Sequence, residues 1–360
     1  MLNQTKILII LSLVVSIFSL IALAFNQNYL FLGVSSSYPV KFINKQEVLQ
    51  SQYDQYLNNY FDKEFHRTID KQNNGITTSE GQSYTMLRSV WMNDQDTFDK
   101  TWQWTQNNLQ RNDKLFSWKW GLREDGVWGI LDDIGGQNVA TDADIDISLS
   151  LVFASKIWNK KNYLEEAKSI INSIWQKTVV KINGNYLLLP NDLEKTASKD
   201  YYLINPSYFS PAHYRIFAKI DSNNHWNKLA DDSYKFLEAF HTHKISNNDQ
   251  PKLPPNWIIL NKKELTISEP EDKNLNTNFG FDALRIPFRI GLDWQWHHKK
   301  QAKDYLSLFE ELNQSWNQHS KIFAEYSRYG NNIVDYETHA MYGGTLSYFT
   351  IHQPKIAKQL

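Results

Sequence analysis

Three segments of the 360-residue sequence place carboxylates where a polar, turn-like stretch leads into an apolar helix pattern. They contain Glu80, the acidic run from Asp142 to Asp146, and Asp282. A carboxyl group can donate a proton in a reaction and a carboxylate can accept one, so a positioned pair can do both. The residue types therefore suggest general acid–base chemistry, provided that the fold brings the segments together.

Two of these carboxylates also have a purely structural interpretation. Thr77 and Glu80 have the spacing of a capping box, in which both side chains satisfy backbone N–H groups at a helix start. A helix N-terminus also favours an ionised carboxylate, whereas a general acid must hold its proton, so burial would have to outweigh the dipole. Asp282 and Arg285 have the spacing of an ordinary i,i+3 ion pair, although the same arginine would keep a general base ionised.

The acidic run has Asp142, Asp144 and Asp146 at alternate positions of A-T-D-A-D-I-D. Acidic residues in a first turn stabilise a helix through its dipole, which is the structural interpretation. A calcium loop is excluded, because an EF-hand needs glycine at its sixth position and glutamate at its twelfth, where this sequence has Ile147 and Phe153. Crowded carboxylates raise each other's pKa, which favours a functional site over a scaffold.

Composition and motifs exclude several other chemistries. The net charge is −1 with no basic patch, which argues against a nucleic-acid partner, and the chain has no cysteine to act as a nucleophile. The histidine pairs at 241 and 243 and at 297 and 298 lack the spacing of metal ligands on one helix. Phosphate-binding and dinucleotide-binding motifs are missing from the sequence. We therefore expect neither a metal nor a cofactor, and hydrolysis by paired carboxylates remains.

Aromatic residues are abundant, with 13 Trp, 19 Tyr and 19 Phe. Most must pack in the core, but Trp118, Trp120 and Trp128 lie in loop-like sequence beside acids and glycines. Sugar rings present flat C–H faces that pack well on indole rings. Tryptophans near carboxylates therefore suit a polysaccharide groove.

Apolar residues at three- and four-residue intervals predict that helices dominate the chain. One-faced helices are indicated from Tyr163 to Trp175 and from Ala302 to Trp316. Turn-rich sequence such as Asn183-Gly184-Asn185 separates the helices, so strands should be confined to short loop hairpins. Helix pairs with long connections predict an all-α fold, an (α/α) barrel whose hairpins ring a central cleft. Further helices are predicted for 48–61, 84–91, 98–109, 145–158, 226–240 and 283–296.

The first 25 residues differ from the rest, because Lys6 precedes an apolar run over residues 7–25. This run is interpreted either as a signal peptide, with Ala22-Leu23-Ala24 as a cleavage site, or as a retained inner-membrane anchor. Residues 26–44 are expected to form a tether, and residues 45–360 one catalytic domain. We therefore expect an exported protein, either periplasmic, secreted or anchored in the inner membrane by residues 7–25.

The three acidic segments, in this order, resemble glycoside hydrolase family 8, the family of bacterial endoglucanases and related β-1,4-glycanases. The likeness spans most of the chain, and the A-T-D-A-D element is its most specific part. The motifs are S-E-G-Q-S-Y at 79–84, the tryptophan segment at 116–120, A-T-D-A-D-I-D-I at 140–147, N-P-S-Y-F at 205–209 and F-D-A-L-R at 281–285.

The resemblance implies an (α/α)6 barrel and hydrolysis with net inversion of the anomeric carbon. Glu80 would be the proton donor and Asp282 the base, while Asp142 would hold the sugar at the cleavage point. Trp118 would stack on a neighbouring sugar unit. Inversion requires the two carboxyl groups to stand roughly 6.5 to 9.5 Å apart, so that a water molecule fits between base and sugar. The other expected substrate-binding residues are Arg285, Tyr84, Asp144, Tyr208 and Phe281.

The sequence departs from the family pattern at two places. Phe281 stands where such members commonly have tyrosine, so a hydroxyl that could orient water or substrate is missing. The last helical pattern, 338–349, is followed by only a short stretch, which suggests an abbreviated last hairpin and a more open cleft.

The leading hypothesis is endo-acting hydrolysis of a β-1,4-glucan, either cellulose or a cellulose-like exopolysaccharide, by a monomer. The enzyme would act at the envelope, in association with the inner membrane or with cellulose-synthesis machinery. A xylanase or mixed-linkage glucanase of the same family is an alternative. A second alternative is a protein of a different class, namely a glycan-binding protein with weak catalysis on the same scaffold.

Overall fold

The computed structural model describes residues 45–245 and 250–360. The predicted signal peptide or anchor and the predicted tether lie outside the described residues. Within them, helices dominate, as the apolar periodicity predicts. The α-helices are α1 (Lys45–Tyr60), α2 (Ser79–Trp91), α3 (Gln95–Leu109), α4 (Thr141–Ile157), α5 (Lys161–Thr178), α6 (Glu194–Ala197), α7 (Pro211–Phe217), α8 (Trp226–Thr242), α9 (Arg285–His297), α10 (Lys300–Leu306), α11 (Glu310–His319) and α12 (His339–His352).

Strands occur only as short antiparallel pairs and triplets in the described connections, as predicted. They form the sheets β1–β2, β3–β4–β5, β6–β7 and β8–β9–β10. The turn between β6 and β7 has Asn183 and Gly184 at φ of 45° and 78°, the left-handed conformation that a tight hairpin needs. The strands are β1 (Phe61–Asp62), β2 (Arg67–Thr68), β3 (Thr77–Thr78), β4 (Lys119–Leu122), β5 (Trp128–Ile130), β6 (Val179–Ile182), β7 (Asn185–Leu188), β8 (Tyr201–Ile204), β9 (Ile258–Asn261) and β10 (Ile267–Ser268).

Consecutive helices pack against each other as hairpins. Helix α2 packs on α3, α4 on α5, α7 on α8 and α9 on α10. Contacts of α2 with α4, of α7 with α9 and of α9 with α12 join the hairpins side by side. The chain thus has the predicted all-α architecture, the (α/α)6 barrel.

Burial separates the inner helices from the outer ones. Every residue of α4 from Thr141 to Val152 is buried, including its polar ones, because this helix is surrounded by neighbours. The following helix, α5, is amphipathic and turns only one face inward, as its sequence period predicts. The buried residues of α5 are Tyr163, Ala167, Ile170, Ile171, Ser173, Ile174 and Thr178.

One predicted helix is interrupted. The pattern from Ala302 to Trp316 folds as α10 and α11, joined by a 3-10 turn at Ser307–Phe309. The Ser307 hydroxyl donates to the Asp304 carbonyl at 2.6 Å, and this side-chain bond competes with the helical backbone pattern. Ala302, Phe309 and Leu312 are nevertheless buried, so the predicted apolar face is correct although the single helix is not.

The end of the barrel near α12 is closely packed. A Cβ at Gly344 would lie 2.4 Å from the carbonyl oxygen of Leu284, so α12 can approach the start of α9 only because residue 344 has no side chain. After α12 the chain continues into a single 3-10 turn, Ile356–Lys358. Among the described residues, no helix is long and apolar enough to cross a membrane.

Candidate active site

The three predicted carboxylates all lie where an inner helix begins. Glu80 is the second residue of α2, Asp142 the second residue of α4, and Asp282 lies three positions before the start of α9. The N-cap of α2 is Thr78, whose Oγ1 accepts from the N–H of Gly81 at 3.0 Å, while the Thr77 hydroxyl donates to the Thr68 carbonyl at 2.7 Å. The capping-box interpretation of Thr77 and Glu80 is therefore wrong, and the glutamate side chain binds elsewhere.

One guanidinium group joins the three carboxylates. Nη1 of Arg285 donates to Oε1 of Glu80 and, at 3.0 Å, to Oδ2 of Asp142. Nη2 donates to Oδ1 of Asp282 at 2.6 Å and to the Ser207 hydroxyl at 2.9 Å. The predicted Asp282–Arg285 ion pair is thus present, but as part of a cluster that unites segments about 60 to 200 positions apart.

Exposure divides the cluster into reachable and buried groups. The side chains of Glu80 and Asp282 are 38% and 33% exposed, whereas that of Asp142 is 2% exposed and that of Arg285 13%. Glu80 and Asp282 can therefore meet a ligand in solution. Arg285 separates these two carboxylates, since each binds a different nitrogen of the same group.

Burial shifts the ionisation of the cluster. The pKa of Asp142 rises from 3.8 to about 7, because burial, together with the charge of Glu80, outweighs the opposing charge of Arg285. Burial lowers the pKa of Arg285, but the surrounding carboxylates outweigh this effect and hold that pKa well above its usual value. Asp142 therefore retains its proton up to about neutral pH.

Tyr84 supports Glu80 from one turn further along α2. Its hydroxyl donates to Oε1 of Glu80 at 2.6 Å, the same oxygen that binds Arg285. Burial and the charge of Glu80 raise the pKa of Tyr84 well above its usual value, so the tyrosine stays neutral and remains a donor.

The two other aspartates of the acidic run contact different partners. Oδ1 of Asp144, which is fully buried, accepts from the backbone N–H of Phe116 at 3.1 Å, and burial raises its pKa well above the usual value. Asp146 makes a bidentate ion pair with Arg289 at 3.0 and 2.9 Å, and burial raises its pKa too. The predicted rise in pKa is confirmed for this run, but its main cause is burial rather than crowding.

The aromatic residues expected to bind substrate lie at different places near the cluster. The carbonyl of Trp118 accepts from the N–H of Ser79 at 3.0 Å, which holds the main chain of Trp118 beside the start of α2, while its indole N–H donates to the Gly135 carbonyl at 3.0 Å. The Tyr208 ring centroid lies 5.3 Å from the Arg285 guanidinium carbon. Phe281, next to Asp282, is 57% exposed. Tyr208 and Phe281 thus lie next to Arg285 and Asp282.

Three residues at the site were missed by the sequence reasoning, namely Ser207, Asn256 and Trp257. The Trp257 indole N–H donates to Oδ2 of Asp282 at 2.9 Å, and Oδ1 of Asn256 accepts from the N–H of Asp282 at 3.2 Å. Ser207 lies within the N-P-S-Y-F motif, but nothing in that motif indicated a contact with Arg285. Asn256 follows two prolines and reads as an ordinary turn residue.

The histidines have structural partners. Nε2 of the buried His241 contacts the Lys252 carbonyl at 2.9 Å, and Nε2 of His297 contacts the Ala212 carbonyl at 3.0 Å. In the part of the chain that the structure describes, no group of three or more His, Asp or Glu side chains has the arrangement of a metal site.

Comparisons with known proteins identify the family of the chain. The family model described as "Glycosyl hydrolases family 8" matches residues 34–343, beginning within the predicted tether. The chain is 31% identical over 237 residues to Endoglucanase A of Acetivibrio thermocellus, covering 65% of this chain and 45% of that protein. It is 34% identical over 242 residues to Endoglucanase 2 of Ruminiclostridium josui, covering 66% and 46%. The chain thus spans about half the length of the curated relatives it matches.

A solved structure described as a GH8 endo-β-1,4-glucanase from an Achatina fulica gut metagenomic library superimposes with a TM-score of 0.68 at 25% identity. The superposition covers 81% of this chain and 87% of that one. Since the family model covers most of the sequence and the predicted motifs meet in one cluster, the chain belongs to glycosyl hydrolases family 8.

Proposed function

We propose that this protein is an endo-acting hydrolase of a β-1,4-glucan that inverts the anomeric carbon, with Glu80 as general acid and Asp282 as general base. The observation that carries the proposal is the Arg285 cluster, in which carboxylates from three distant segments meet. Two of them are open to solvent and separated by the guanidinium. Such a pair can flank a glycosidic bond, whereas one buried acid could not.

In this mechanism Glu80 protonates the glycosidic oxygen as the bond breaks. Asp282 takes a proton from a water molecule that attacks the anomeric carbon from the opposite face, so no covalent intermediate forms. The guanidinium of Arg285 between the two carboxylates keeps them from contacting each other directly. Nη2 of the same guanidinium also holds Oδ1 of Asp282 in place at 2.6 Å.

A general acid must carry a proton before it can act, and Oε1 of Glu80 contacts Nη1 of Arg285. Asp142 binds the same guanidinium nitrogen and holds a proton up to about pH 7. A sugar that enters between Glu80 and Arg285 would break their contact, after which the proton of Asp142 could pass to Glu80. Asp142 would then be ionised beside Arg285 and hold the sugar at the cleavage point.

The aromatic residues are proposed to bind neighbouring sugar units. Tyr208 and Phe281 offer ring surfaces beside Arg285 and Asp282, the segment that carries Trp118 lies beside the start of α2, and Tyr84 donates to Glu80. Asp144 is buried against Phe116, so its contribution to substrate binding would be indirect, through the segment that carries Trp118.

A β-1,4-glucan is favoured because the relatives named above are endoglucanases and the solved structure named above is described as an endo-β-1,4-glucanase. Xylan and mixed-linkage glucan are the alternatives within the family. We further propose that the apolar segment 7–25 exports the protein, so that a monomer acts on polymer in the periplasm or outside the cell, or beside the synthesis machinery at the inner membrane.

The test is the release of reducing ends from carboxymethylcellulose, xylan, mixed-linkage β-glucan and chitosan. Glu80→Gln and Asp282→Asn should each lower the rate by at least about a hundredfold, because general acid or base catalysis contributes that much. Glu165→Gln, which changes an exposed ion pair with Lys168, is the matched control and should keep the rate. Polymer binding without release by the wild type would instead favour a glycan-binding protein.

A further inference from the structure

Two strands bring separate segments to one edge of a sheet beside the cluster. Strand β8 ends at Ile204 and β9 begins at Ile258, and these two residues pair directly in antiparallel register. The residues that follow β8 and those that precede β9 therefore leave the sheet at the same edge. Ser207 belongs to the first group, and Asn256 and Trp257 to the second.

This edge contacts both members of the Asp282–Arg285 pair. Trp257 donates its indole N–H to Oδ2 of Asp282 at 2.9 Å, while Arg285 donates to Oδ1 at 2.6 Å. Ser207 accepts from Nη2 of Arg285 at 2.9 Å. Each oxygen of the carboxylate thus has its own fixed donor, and a carboxylate held at both oxygens cannot rotate away from the attacking water.

The main chain of the same turn is held by one amide group. Oδ1 of the buried Asn256 accepts from the backbone N–H groups of Gly280 at 3.1 Å, of Asp282 at 3.2 Å and of Ala283 at 2.9 Å. The backbone N–H of Trp257 donates in turn to the Asn276 carbonyl at 3.0 Å. The backbone and the side chain of Asp282 are therefore both tied to the start of β9.

We propose that Asn256 and Trp257 are the positioning residues of the general base, with Asn256 fixing its backbone and Trp257 fixing its carboxylate. The proposal rests on the proposed role of Asp282. An indole N–H is a donor without acceptor capacity, so Trp257 can orient the ionised base but cannot take the proton that the base removes from water. The lone pairs that remain on Oδ2 are free to bind that water.

Trp257→Phe keeps an aromatic ring and removes the donor. We expect kcat to fall about 10- to 100-fold, the range for one hydrogen bond to a charged group, with little change in KM. The acidic limb of the pH profile of kcat/KM should move to higher pH, because a hydrogen bond to the ionised form favours that form. Trp158→Phe is the matched control, since it loses an indole bond to Asn93 of 2.8 Å at a distant surface and should leave kcat and the pH profile unchanged.

A double-mutant cycle separates positioning from general structural damage. If Trp257 acts through Asp282, adding Trp257→Phe to Asp282→Asn should cause little further loss of rate. An equal loss in both backgrounds, or a lower melting temperature with an unchanged pH profile, would overturn the proposal.

A readout that needs no turnover keeps this test separate from the proposed function. The indole ¹⁵N–¹H resonance that disappears in Trp257→Phe should shift with pH in the wild type and stop shifting in Asp282→Asn. If the wild type releases no reducing ends, the proposed function fails, and an indole resonance that is indifferent to Asp282→Asn would show that the positioning contact fails as well.

Discussion

Replacing Asp142 with asparagine should stabilise the protein at alkaline pH while it lowers activity. The side chain is buried, and burial raises its pKa from 3.8 to about 7 despite the contact with Arg285 at 3.0 Å. Above pH 7 the folded protein must therefore hold an ionised carboxylate in an environment that disfavours the charge. An asparagine amide has the same shape, can still accept from Arg285, and carries no charge.

The size of the change in unfolding free energy follows from the difference between the pKa of Asp142 in the folded state and in the unfolded state. The folded-state pKa exceeds the unfolded value by about three units, and each unit corresponds to about 1.4 kcal/mol, which gives about 4 kcal/mol. Because the folded-state pKa is raised, this contribution to stability is fully present below about pH 4 and is lost as the pH rises through about 7. The stability of Asp142→Asn relative to the wild type should thus increase by about 4 kcal/mol over this interval.

Urea unfolding of both proteins at about pH 4 and about pH 8 measures the effect. Asp96→Asn is the control, because Asp96 is exposed and pairs only with Lys100 in the same helix, so its effect should stay below about 1 kcal/mol. A stability difference between Asp142→Asn and the wild type that does not change with pH would refute the reasoning.

Further predictions concern the support of the site. Arg289→Met should destabilise the protein by about 3 to 5 kcal/mol in urea unfolding at neutral pH, because it leaves Asp146 buried without its partner. This loss of unfolding free energy should be smaller at low pH, where Asp146 takes up a proton. Gly344→Ala should cost about 1 to 3 kcal/mol of unfolding free energy, since its Cβ would meet the Leu284 carbonyl. Trp118→Ala should raise KM for the polymer about tenfold in steady-state kinetics, because a stacking surface is lost.

Much of the site could be predicted because its acids lie in local motifs at helix starts. Glu80, Asp142 and Asp282 each follow a polar turn and precede an apolar period, and the resemblance named the same residues. The sequence did not reveal that Arg285 binds all three. The i,i+3 spacing predicted only the ion pair of Arg285 with Asp282, because contacts between different helices leave no local sequence pattern.

The cap of α2 and the Trp257 contact were not predicted, for a similar physical reason. Thr77 and Thr78 are adjacent and either could cap α2, but the Thr77 hydroxyl donates to the Thr68 carbonyl at 2.7 Å and accepts from Arg67 at 2.8 Å, which leaves the cap to Thr78. Trp257 meets Asp282 only because β8 and β9 pair, and that pairing is not visible in either segment alone. Contacts between separate segments of the chain therefore determine the cap of α2 and the partner of Asp282, which local sequence patterns do not show.

The most direct test of the mechanism is the anomeric configuration of the first product. Proton NMR of the wild type acting on a soluble β-1,4-linked gluco-oligosaccharide follows the new reducing end before mutarotation. Attack of water activated by Asp282 from the opposite face predicts that the α-anomer appears first. If the β-anomer appears first, cleavage proceeds with retention, and the assignment of Asp282 as the base that activates water in a single displacement is contradicted.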